Sequence, residues 1–177
     1  TVEAGTLSWA DATSGPIGTI ASSVSGLPAN ATVTDVNVTI QADHTWVGDL
    51  ELSLISPDGT SMMFLTDPTC AGTGNSDNAN VTFDSDAADA FNCQVVSADN
   101  GAPDDCTEDY LIGAAMTGVM QPQMGDFSIF NGETAEGDWI LDLVDDAGGD
   151  GGCFYTFSVE VSWQTLATEG NPAVGVA

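Results

Sequence analysis

Carboxylates are the side chains with most chemistry to offer in this chain, and their placement is uneven. Asp43 and Asp49 flank the turn His44-Thr45-Trp46-Val47-Gly48, which can bring both groups together at a strand end. Asp84 and Asp86 form another pair after the short run Val81-Thr82-Phe83. Asp145, Asp146 and Asp150 lie on a glycine-rich turn, where backbone carbonyls are also available. Hard oxygen donors grouped in this way suit a divalent cation, above all calcium, which takes several carboxylates together with carbonyls and water. None of the groups has the spacing of an EF-hand. His44 is the single histidine of the chain. Hydrolytic catalysis through it would need a nucleophile beside it and an acid behind it. No Gly-x-Ser-x-Gly element is present, so His44 reads as a structural, hydrogen-bonded residue. Asp138 beside Trp139 resembles half of a glycosidase pair, but Trp139 shares the parity of a buried strand face and reads as core.

The chain of 177 residues has 27 Asp or Glu, no Lys and no Arg, for a formal charge of −27. Binding of nucleic acid or of an anionic membrane through basic patches is excluded, because both need Lys or Arg. Each carboxylate must be solvated, hydrogen-bonded, protonated or bound to a cation from solution. Charge of this size opposes compaction, yet 42% of the residues are hydrophobic, enough for a real core in one domain. The acidic composition fits both a saline habitat and calcium binding. No apolar run approaches the length needed to cross a membrane, and the opening residues lack a signal-peptide pattern, as in a mature chain.

Four cysteines, Cys70, Cys93, Cys106 and Cys153, fit no zinc spacing and contain no Cys-x-x-Cys. They point to two disulfides and an oxidising compartment. Three pairings are open, and Cys70 with Cys93 and Cys106 with Cys153 is the preferred one. Asn-x-Thr sequons begin at Asn30, Asn37 and Asn80.

The elements that must position these residues alternate with period two. Val36, Val38 and Ile40 form one such run; Leu50, Leu52 and Leu54 another; Trp139, Leu141 and Leu143 a third. The longest joins Cys153, Tyr155, Phe157, Val159, Val161 and Trp163. Each reads as a strand with one buried face. With no amphipathic helix and no βαβ spacing, the chain is expected to be all-β, an antiparallel, jelly-roll-like sandwich. Residues 1–165 read as one domain, 1–10 as a first strand, and 166–177 as a tail. Residues 66–126 are a long Asp- and Gly-rich insertion pinned by disulfides, with strand-like pieces only at Val81–Phe83 and 110–112.

Two blocks carry a family resemblance. The first runs from Asp43-His44-Thr45 through Gly48-Asp49-Leu50 to Ser56-Pro57-Asp58-Gly59-Thr60. The second comprises Phe130-Asn131-Gly132-Glu133, Gly137-Asp138-Trp139-Ile140-Leu141, and Asp145 with Gly149-Asp150-Gly151-Gly152. In this order and spacing they resemble the P domain, the β-sandwich that follows the catalytic domain of proprotein convertases and occurs in many secreted bacterial proteins. The resemblance spans about residues 33 to 163 and names His44, Thr45 and Gly48 as its structural motif. The chain departs from the pattern at Cys153-Phe154-Tyr155, where a Leu-x-x-Trp turn is usual, and in its longer insertion. By similarity to calcium-bearing bacterial P domains, Asp43, Asp49, Asp84, Asp86 and Glu133 are expected to form one calcium cluster. Asp145, Asp146 and Asp150 form the second candidate.

The expected function follows: a secreted, extracellular, non-enzymatic calcium-binding module of bacterial origin, from a marine or saline setting. Its leading role is as a structural subunit of a matrix, fibre or cell surface that self-associates with calcium or binds extracellular protein or polysaccharide. The alternatives are an accessory domain of a secreted subtilisin-like protease and an adhesin or carbohydrate-binding module.

Overall fold

The structure, a computed structural model, describes residues 7–9, 14–70, 76–96, 111–149, 151–165 and 174–176. Ten strands are described: β1 (Leu7–Trp9), β2 (Gly15–Val24), β3 (Ala31–His44), β4 (Leu50–Ile55), β5 (Ser61–Thr66), β6 (Ala79–Asp84), β7 (Met116–Met120), β8 (Gly137–Asp145), β9 (Gly152–Thr165) and β10 (Val174–Val176). They make two sheets. The larger has the order β1-β9-β3-β6-β7, with β10 also on β9; the smaller has the order β2-β8-β4-β5. All pairings are antiparallel except β6 with β7.

The alternation in the sequence explains why the sheets stack. Val36, Val38 and Ile40 of β3 and Phe157, Val159 and Val161 of β9 line the inner face of the larger sheet. Leu50, Leu52 and Leu54 of β4 and Trp139, Leu141 and Leu143 of β8 line that of the smaller one, and all belong to one buried cluster. The all-β sandwich is as the periodicity predicts. Phe64, Phe83, Phe127, Phe130 and Trp139 close the core through edge-to-face and stacked contacts.

Local differences have physical causes. β9 does not keep the parity read from the sequence through its first turn of pleat. A register shift between Gln41 and Ala42 pairs Gln41 with Thr156 but Ala42 with Phe154. This bulge buries Phe154 and leaves Tyr155 half-buried, its hydroxyl donating to Asp43 Oδ2 at 2.8 Å. Residues 111 and 112 form a turn instead of a strand, and the strand comes later as β7. Cys70 and Cys93 are joined, the pairing preferred from the sequence. Cys153 is also disulfide-bonded; Cys106 lies outside the described residues, as does most of the tail.

Candidate metal centre

The end of the sandwich where β3 stops and β4 starts concentrates the ionisable groups. β3 ends at His44, which continues the inward parity of Val38, Ile40 and Ala42 and is 2% exposed. A 3-10 turn, Val47–Asp49, then leads into β4. β8 runs antiparallel beside β4 and ends at Asp145, opposite Leu50. Asp145 occupies the inward parity of Trp139, Leu141 and Leu143, so its carboxylate is fully buried.

A buried carboxylate needs donors. Asp145 Oδ2 accepts from Trp9 Nε1 at 2.7 Å and from His44 Nε2 at 3.3 Å. The Trp46 amide donates to His44 Nδ1 at 3.0 Å, so that nitrogen carries no proton and the ring proton sits on Nε2. Both ring nitrogens are therefore engaged within the protein, and neither faces a nucleophile. Trp9 stacks on the imidazole with ring centroids 5.5 Å apart. Gly152 makes this packing possible: a Cβ there would lie 2.7 Å from both His44 Cδ2 and the Trp9 ring. Asp145 Oδ1 is buried and has no hydrogen-bond partner among the described residues.

On the other face of the smaller sheet, three carboxylates converge. Ligand oxygens of Glu51, Asp67 and Asp146 all lie within 4.8 Å of one another, Glu51 half-buried and the other two exposed. Glu51 points away from the core between Leu50 and Leu52 on β4, the strand between β5 and β8. Asp67 lies just past the end of β5 and Asp146 just past the end of β8, so the two flank Glu51. Their backbones are tied to β4: the Asp67 amide donates to Leu50 O at 3.2 Å, and the Asp146 amide to Asp49 O at 2.9 Å. Asp67 has φ of +40°, a left-handed conformation that aspartate tolerates better than most residues.

The donor set fits a hard divalent cation. Three carboxylates offer up to about six oxygens, none soft, and no nitrogen or sulfur ligand among the described residues joins them. No lysine or arginine exists in the chain to neutralise them.

The structure redistributes the residues read as ligands from the sequence. Asp146 joins this corner. Asp145 does not, because strand parity turns it inward to Trp9 and His44, and Asp150 lies outside the described residues. The five residues expected to form one cluster are not brought together. Asp43 accepts from Tyr155, and Asp49 sits in the turn before β4. Asp84 pairs with Asn37 at the far end of β6, whose other end pairs with Ala42. Five residues of strand separate these ends, about 17 Å. Asp84 Oδ1 there accepts from the Asp86 amide at 2.7 Å. Glu133 is elsewhere again, bonded to the Thr60 hydroxyl, with Oε2 buried and lacking a hydrogen-bond partner among the described residues. Asp84 and Asp86 instead approach Asp35 and Glu160 on the larger sheet. Burial, then the charges of Asp84, Asp86 and Glu160, raise the Asp35 carboxyl above the usual aspartate value, against the Val36 amide. Glu51 and Asp67 were passed over in the sequence because neither forms a close pair along the chain. The outward parity of Glu51 on β4 was the available signal.

The model of the proprotein convertase P-domain family matches residues 33–94, which bears out the resemblance read from the sequence. No curated protein matches the chain. Among solved structures, the serine protease of Aeromonas sobria aligns with 99% of this chain and 21% of its own, at 20% identity and a TM-score of 0.41. The complex of that protease with the chaperone ORF2 aligns over the same shares, at 19% identity and a TM-score of 0.39. The chain thus spans about a fifth of the length of these proteins.

Proposed function

We propose that the chain is a P-domain module without catalytic groups of its own that accompanies a secreted serine protease and is stabilised by calcium at Glu51, Asp67 and Asp146. The observation that carries the first part is the family match over residues 33–94, which contains the whole His44-to-Thr60 block. An accessory role fits a domain that in proprotein convertases follows the catalytic domain. The oxidised cysteines favour an extracellular setting. No helix among the described residues is long and apolar enough to cross a membrane.

The second part rests on the carboxylate corner. The three residues belong to, or directly follow, three adjacent strands, so an ion held by them ties together the ends of β4, β5 and β8. It also relieves the mutual repulsion of three like charges. Ligands that exist together only in the folded chain convert binding into folding stability. The complete reading frame tests the accessory role: an Asp/His/Ser catalytic domain upstream is expected, and a frame encoding no protease counts against it.

A second reading keeps the chain as an assembling subunit. It is favoured by β10, a strand of Val174-Gly175-Val176 at the edge of the larger sheet, with Val174 75% and Val176 62% exposed. An apolar edge strand is a template for pairing with another chain. Calcium-promoted contact between copies through this edge should appear as a rise in light scattering on calcium addition that chelation reverses. Monodisperse monomer throughout the titration contradicts that reading.

A further inference from the structure

We propose that the cleft between β7 and the loop after β6 docks an extended segment of another protein, held by one Arg or Lys side chain seated at Asp89. The proposal is independent of the cation reading of Glu51, Asp67 and Asp146.

β7 is the last strand of the larger sheet and pairs with β6 on one side. Its other side meets the loop that leaves β6, and the two are tied near their ends. The Gln121 amide donates to Asp89 O at 2.8 Å, and the Gln94 amide donates to Ala115 O at 2.8 Å. The Asn92 amide also approaches Met120 Sδ at 3.5 Å. Between these ties the loop bows away from the strand. A cleft of about 340 Å³ opens there, lined by Asp89, Ala90 and Asn92 of the loop and by residues 117–120 of β7. Cys93, joined to Cys70, fixes the far part of the loop, so the cleft is preformed.

The register of β6 with β7 runs from Ala79 with Met116 to Phe83 with Met120 without a shift. Successive residues of β7 therefore turn their peptide groups alternately toward β6 and away from it. Gln121 turns its amide away, to Asp89, and Val119 and Thr117 share its parity. Among the described residues, nothing pairs with the outward N–H and C=O groups of these two. Met116 and Met120 are buried, but Gly118 between them has no side chain, and a Cβ there would meet nothing within 4 Å. The cleft is open at that point. Asp89, exposed at one end, has a carboxylate with no hydrogen-bond partner among the described residues.

An unpaired strand edge offers backbone bonds to any extended peptide, and here charge selects among them. This chain carries −27 and has neither Lys nor Arg. A second copy has no basic side chain to match Asp89 and is repelled as a whole, so the occupant is a basic segment of a different protein. The ties at Asp89 and Gln94 leave room to pair about three of its residues. Its backbone bonds to Thr117 and Val119, and its Arg or Lys crosses Gly118 to Asp89, the aliphatic stem lying along the cleft. An apolar neighbour in the segment covers Val119, which is 54% exposed.

The test titrates the whole chain with the blocked pentapeptide Ser-Val-Arg-Val-Ser in about 0.1 M salt, followed by calorimetry and by amide resonances. Shifts are expected at Thr117, Gly118 and Val119. Affinity should fall about 10-fold or more when citrulline replaces the arginine, in Asp89→Asn, and in Ala90→Trp, which fills the cleft from its exposed loop wall. Asp138→Asn, an equal loss of charge on β8 in the other sheet, should leave affinity nearly unchanged. No binding, an Asp89→Asn that binds as the unmodified chain does, or shifts scattered over the acidic surface while residues 117–119 stay still, overturns the proposal. Free arginine amide binding as tightly as the pentapeptide also overturns it, since the cleft would then take a small cation and not a segment. If a variant does not fold, the citrulline comparison and the resonances of the unmodified chain decide.

Discussion

A few positions in this molecule are decided by one atom or one charge. Gly152 is one: any side chain there meets His44 and Trp9 at 2.7 Å, and both neighbours are held in the core. Gly152→Ala should destabilise the fold by about 1–3 kcal/mol, read from the urea midpoint, because neither ring can retreat without opening the Asp145 bonds. Asp35 is another. Its folded carboxyl titrates above its unfolded one, so protonation favours the native state. Its contribution to stability is complete below the unfolded value and is lost as pH rises through the folded one. Charged Asp35 is therefore a cost at neutral pH, shared with Asp84, Asp86 and Glu160. Asp35→Asn should raise the melting temperature at pH 7, with the gain shrinking toward pH 3; a drop at pH 7 would refute this. At this scale the sequence was half legible. Extending the parity of Trp139, Leu141 and Leu143 by one step places Asp145 inside, yet proximity to Asp146 made it look like a ligand. Chain neighbours on a strand face opposite ways, so adjacent acids there are poor evidence for a shared ion.

The strands with clean alternation, β3, β4, β8 and most of β9, were readable because each pairs a buried apolar face with a polar one. β2, β5 and β7 were not. β2 sets only Ile17, Ile20 and Val24 among Gly, Pro, Thr, Ala and Ser, and its inward Ser22 is buried, its hydroxyl accepting from the Val159 amide at 3.4 Å. β5 contains Met62-Met63-Phe64-Leu65, a continuous apolar run, because a register shift opposite Leu52 and Ser53 buries both Phe64 and Leu65. β7 pairs parallel with β6 after a long excursion, a contact that no local pattern encodes. That excursion is pinned by Cys70–Cys93, whose half-cystines are both buried. Closing the 23-residue separation removes chain entropy from the unfolded state. Replacing both cysteines with Ala should cost about 3 kcal/mol in the same unfolding measurement. An unchanged urea midpoint would show that packing around β6 already fixes the loop.

Across the whole molecule, a charge of −27 on 177 residues sets the conditions under which the sandwich is stable. Like charges without partners repel over the Debye length, about 10 Å at 0.1 M salt, so sodium chloride should raise the melting temperature by general screening. Specific binding differs from screening in two respects: it saturates, and it depends on named residues. The corner of Glu51, Asp67 and Asp146 joins three strand ends that no protein cation can hold. The most direct test is the melting temperature in millimolar calcium chloride against sodium chloride of equal ionic strength, for the unmodified chain and for Glu51→Gln/Asp67→Asn. A saturating calcium-specific rise of several degrees is predicted, absent from the double variant. Equal melting temperatures in the two salts, or a calcium rise that survives both substitutions, would contradict the account.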